Sequence, residues 1–104
     1  MAGPLLNKAE RDYFVRKAGG AAVGKPLNQI KREYFISFTG AAVPQISLDE
    51  LEYRWQLKVL ANAGVTEPDM DSIADLWIAM VASIGKTPSK YLNDNMLKFY
   101  LNAP

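Results

Sequence analysis

The sequence predicts an all-α fold of four to five short helices, and three observations predict it. Capped, amphipathic segments recur along the 104 residues. Gly and Pro gather between those segments, at 19–26, 40–46, 64–67 and 85–91. No stretch alternates apolar and polar residues as a half-buried strand would: Ala41-Ala42-Val43 comes nearest, and it is short and runs into Pro44. The length is that of one small domain, 1–104. With 49% hydrophobic and 22% charged residues, the chain can bury a modest core and is too apolar for wholesale disorder.

Each helix follows from local chemistry. The first is expected at 8–17, where Leu6, Ala9 and Tyr13 share a stripe that Phe14 widens, and Gly19-Gly20 stops it. The second is expected at 29–38, ended by Gly40. The third, 49–63, has Ser47 as its N-cap, Glu50 completing a capping box, and Gly64 after its last turn. The fourth, 68–84, is capped by Thr66 and carries Pro68 in its first turn, where a missing N–H costs nothing. Its Met70, Ile73, Ala74, Trp77, Met80, Val81 and Ile84 follow helical spacing, and Gly85 ends it. The fifth is expected at 94–101. The third and fourth, joined by Gly64-Val65-Thr66-Glu67, are expected as a central antiparallel hairpin with short repeat helices on either side.

The repeat is explicit in the chain. Leu6-Asn7-Lys8-Ala9-Glu10-Arg11-Asp12-Tyr13-Phe14-Val15 returns 21 residues later as Leu27-Asn28-Gln29-Ile30-Lys31-Arg32-Glu33-Tyr34-Phe35-Ile36. Leu48-Asp49-Glu50-Leu51 with Trp55 is a third, weaker copy at the same offset. Leu92-Asn93-Asp94 with Phe99-Tyr100 is a fourth, and 64–90 does not fit the series. In each unit the Asn or Asp after the Leu is expected to cap a short helix whose second turn carries an aromatic pair. A helix of about ten residues is marginal alone in water, so each pair must pack on something, either the core of this chain or a partner.

Composition narrows the chemistry. There is no Cys and no His, which removes disulfides, thiolate zinc sites, Cys nucleophiles and His bases together. No glycine pattern matches a phosphate-binding loop, Ser83 and Ser89 lack a His partner, and no cofactor is implied. Asp69, Asp71 and Asp75 cluster at the start of the fourth helix, where the helix dipole suits them. Asp71 and Asp75 share a face, but the spacing is not that of a calcium loop, and no metal site is assigned. No apolar run reaches membrane-spanning length, and the first residues do not read as a secretory signal. Net charge is +1, yet residues 1–44 carry +4 and residues 45–104 carry −3. The basic part is expected either to pack with the rest or to extend as an arm that orders on a partner. Its Arg11, Arg16, Lys17, Lys25, Lys31 and Arg32 interleave with aromatics, the pattern of a strand-tracking nucleic-acid surface. Glu10, Asp12 and Glu33 in the same helices count against that pattern.

The motif Leu-Asn-Asp, four residues, then paired aromatics, between Gly-rich spacers, resembles a repeat of structural proteins of tailed bacteriophages, whose usual form is Ser-Leu-Asn-Asp-x4-Tyr-Tyr. Leu92-Asn93-Asp94 with Phe99-Tyr100 matches it best, and Leu48-Asp49 with the lone Trp55 departs furthest. The resemblance implies a non-enzymatic virion component, associated with capsid, head–tail connector or tail. It implies synthesis in the host cytoplasm and assembly in many copies or as a homo-oligomer, with other virion proteins as partners and no membrane. The candidate partner-binding residues are Tyr13, Phe14, Tyr34, Phe35, Phe99 and Tyr100 with Arg11 and Arg32. The alternative is a small helical regulatory or nucleic-acid-binding protein.

Overall fold

The computed structural model describes residues 4–40, 46–65 and 72–104. Among them are five α-helices and no strand: α1 (Pro4–Ala18), α2 (Leu27–Thr39), α3 (Leu48–Asn62), α4 (Ile73–Ser83) and α5 (Leu92–Asn102). A 3₁₀ turn, Gly19–Ala22, follows α1. The all-α expectation holds.

The caps explain where the helices begin. Ser47 accepts a hydrogen bond from Glu50 N at 3.1 Å, as expected, but the Glu50 carboxylate turns to Arg54 at 3.1 Å rather than closing the capping box. Asn28 and Asn93 do not cap. Pro26 and Tyr91 hold the extended N-cap conformation instead, and their carbonyls accept the first helical bonds from Ile30 N and Asn95 N, both at 3.1 Å. The leading Leu therefore enters the helix, and α1, α2 and α5 begin two to four residues earlier than the sequence suggests. Helix α4 is capped by Ser72, which accepts from Asp75 N at 3.2 Å. Thr66, Pro68 and Met70 lie outside the described residues.

Glycine ends three helices as expected. Gly40 closes α2 in the left-handed region at φ 72°, its N–H on the Ile36 carbonyl at 2.9 Å. After α3, Val65 N reaches the Leu60 carbonyl at 2.8 Å and Gly64 N the Ala61 carbonyl at 3.0 Å, a Schellman pair, and Gly85 repeats the arrangement after α4.

The helices pack around one core. α2 lies most closely on α3, α5 on both α1 and α4, and α1 also on α2. α3 and α4 also touch, less extensively than those pairs, and the residues that join them, 66–71, lie outside the described ones. The radius of gyration, 13.4 Å, matches the roughly 13 Å of a close-packed domain this long. α1 and α2 bring Phe14, Ile30 and Phe35 into that core, so the described part of the basic half packs with the rest rather than extending as an arm.

The repeat is also a burial pattern. The third residue after each leading Leu is Ala9, Ile30, Leu51 or Asn95, and all four are buried. The eighth is Phe14, Phe35, Gln56 or Tyr100, and all four are buried as well. α4, outside the repeat in sequence, buries Leu76, Trp77, Met80 and Val81 by ordinary helical spacing.

Candidate functional site

Equivalent repeat positions meet in space. Phe14 and Phe35 stack edge-to-face at 5.4 Å and Tyr13 lies 5.7 Å from Phe99, while Phe35 lies 5.0 Å from Trp55, which holds the neighbouring register position. Trp77 of α4 closes the cluster against Phe99 and Tyr100 at 5.6 and 5.4 Å. Every aromatic side chain except Tyr53 and Tyr91 belongs to this network, and each well-set pair adds about 0.5–1.5 kcal/mol beyond its buried area.

This placement corrects the expected docking residues. Tyr13, Phe14, Phe35, Phe99 and Tyr100 are all under 4% exposed, out of reach of a partner of the folded chain. Only Tyr34 is half-buried. An aromatic pair on the second turn spans wide enough to face both neighbours of its own helix: both rings are buried in α1 and α5, whereas in α2 Phe35 is buried and Tyr34 stays half-buried. Of the two arginines, Arg32 is half-buried and donates to the Ile46 carbonyl, while Arg11 is exposed.

The same register places a charge cluster that sequence reading missed. The fourth residue after the leading Leu is Glu10 in the first copy, Lys31 in the second and Glu52 in the third. Lys31 Nζ lies 2.8 Å from Glu10 and 2.9 Å from Glu52, joining α1, α2 and α3. The lysine side chain is only 11% exposed, and its ammonium sits 5.4 Å from the Phe14 ring centre. Burial alone would lower the Lys31 pKa, but Glu52 and Glu10 outweigh it and hold it above the ordinary lysine value. The Tyr100 hydroxyl is pushed far up by burial, with Glu10 and Glu52 adding to the rise, and it has no well-aligned hydrogen-bond partner among the described residues. Residues of alternating charge recurring at the repeat offset were the available signal.

Beside Lys31, most other cations of the N-terminal half are also engaged within the chain. Lys8 pairs with Asp12 at 2.6 Å, Lys25 with Glu33 at 2.7 Å, and Arg16 donates to the Ala103 carbonyl at 3.1 Å. These bonds leave the +4 of residues 1–44 in place, since their carboxylates are already counted in it, but they tie down most of its cations, which weakens the nucleic-acid pattern. At the other end, buried Asn95 accepts from Ser89 N at 2.8 Å and donates to Ser89 O at 2.9 Å, pinning the loop before α5. Among the described residues no group of acidic side chains could hold a metal ion, and no helix is long and apolar enough to cross a membrane. Asp71 of the expected acidic pair lies outside the described residues, and Asp75 is exposed.

One cleft of about 260 Å³ opens between the ends of the helices. Tyr13, Tyr34, Phe38, Val59 and Phe99 are among the residues that line it, with Lys17 beside them. Lys17 and Tyr34 also border a neighbouring depression of about 170 Å³. In comparisons with known proteins, the chain matches no family profile, no curated protein and no solved structure.

Proposed function

We propose that this chain is a non-enzymatic virion structural protein of a tailed bacteriophage, a rigid helical module that acts by docking onto other virion proteins. One observation carries the reading: a repeat that resembles one of tailed-phage structural proteins occurs in four copies, the third departing furthest, and each copy lies in one helix. With the aromatic pairs inside, docking falls to the outer faces, where Arg11, Tyr53, Ile73 and Leu101 are exposed. Weak single contacts suffice for a protein present in many copies on a particle, because simultaneous engagement multiplies them.

The test is co-purification. Virions from the source, or from phage induced from it, are banded on a density gradient, and the 11.5 kDa chain is followed by mass spectrometry across fractions. Enrichment in the intact-particle band is expected. Absence from a well-detected band, with the chain only in the soluble lysate, overturns the reading.

A further inference from the structure

The cleft bordered by Lys17 sets an apolar lining beside a cation that no carboxylate neutralises among the described residues. Its lining is mostly aromatic and aliphatic, drawn from the C-terminal parts of all five helices. On its α1 side two cations surround one ring: the Arg16 guanidinium and the Lys17 ammonium each lie 5.4 Å from the centre of Tyr13. Arg16 is tied to a neutral carbonyl, and among the described residues neither cation has a carboxylate within ion-pair distance. The nearby acid, Glu33, borders the adjoining depression and is held by Lys25. Partial burial and the neighbouring Arg16 charge both push the Lys17 pKa below the ordinary lysine value. A carboxylate placed beside Lys17 offsets the Arg16 repulsion and favours the charged ammonium.

Volume selects among occupants. About 260 Å³ falls below the range of drug-sized ligand pockets, roughly 300–1,000 Å³, but suits one bulky side chain of a partner, the usual anchor of a protein interface. We infer that this cleft is the docking site for an acidic segment of a partner protein, which seats one aromatic or large aliphatic side chain on Tyr34, Phe38 and Val59 and lays a flanking carboxylate against Lys17 and Arg16. The inference rests on the docking function proposed above and names the chemistry of the partner.

The experiment uses the full chain and three blocked peptides: Gly-Asp-Phe-Asp-Gly as probe, with Gly-Lys-Phe-Lys-Gly and Gly-Asp-Gly-Asp-Gly as controls. Amide shifts are followed by NMR up to low-millimolar peptide, where contacts this small become visible. The expected result is saturable shifts at Asn62, Ser83 and Ala103 with the probe alone, weakened by added salt. Lys17→Glu should weaken probe binding by on the order of tenfold or more. Ala63→Trp, at an exposed position on the cleft rim, should block it while leaving the remaining spectrum folded. No saturable shift, equal response to the lysine peptide, or shifts confined to another face each overturn the assignment. The two readings separate cleanly. Probe binding without enrichment in particles removes the virion reading and leaves the cleft, whereas full particle incorporation of the Lys17→Glu chain removes the cleft and leaves the virion reading.

Discussion

Lys31→Met is the most informative single substitution. Methionine matches the length of the lysine stem, so little cavity is created, and the change isolates the charge. It leaves Glu10 and Glu52 facing each other and the Tyr100 hydroxyl with no counter-ion between them. Removing one partner of a buried ion pair costs about 3–5 kcal/mol. The two carboxylate side chains are 18% and 26% exposed, so the lower end applies, about 3 kcal/mol. For a domain of this size that is a fall in Tm of roughly 10–20 °C. Adding Glu10→Gln and Glu52→Gln should recover at least about half the loss, because a neutral cluster carries no uncompensated charge. The assay is urea unfolding followed by circular dichroism at neutral pH. A single variant within about 1 kcal/mol of the parent, or a triple variant no more stable than the single, would refute the reasoning.

Three further outcomes follow from the same structure. Phe14→Ala and Phe35→Ala, each at a fully buried ring, should cost about 3–5 kcal/mol by chemical denaturation, whereas Arg11→Ala on the exposed face should stay within about 0.5 kcal/mol. Gly40→Ala forces a side chain into the left-handed region and should cost about 1 kcal/mol in the same assay, while Gly20→Ala meets no such strain and should cost less. Tyr13, Tyr34, Tyr100 and Lys31 all have raised folded-state pKa values, so their stabilisation is complete below pH 10.0, the ordinary tyrosine value, and is lost as pH rises through the folded values. A spectrophotometric titration should show these phenols ionising together with loss of helical signal, and ionisation of all tyrosines before any helix is lost would contradict it.

Much of the fold was legible because helix formation here is a local matter. Gly40, Gly64 and Gly85 end α2, α3 and α4 where a left-handed residue is needed, and Ser47 caps α3 as its hydroxyl allows. The early starts of α2 and α5 were not legible: Pro26 and Tyr91 cap through backbone carbonyls, which any residue provides, while the capping chemistry of the side chains points to Asn28 and Asn93 instead. The direction of the aromatic pairs depended on neighbours that one helix cannot specify. The Glu10–Lys31–Glu52 cluster was present in the repeat alignment, but only the packing of α1, α2 and α3 shows that residues 21 apart become contacts. The cleft draws on all five helices and had no linear signature.

All of this rests on the aromatic positions of the repeats converging in one core. The direct measurement is a nuclear Overhauser spectrum of the chain with labelled aromatic rings. The account predicts cross-peaks between Phe14 and Phe35, between Tyr13 and Phe99, and between Trp55 and Phe35, whose ring centres lie 5.4, 5.7 and 5.0 Å apart. Cross-peaks confined to rings within the same helix, with none linking α1, α2, α3 and α5, would contradict it.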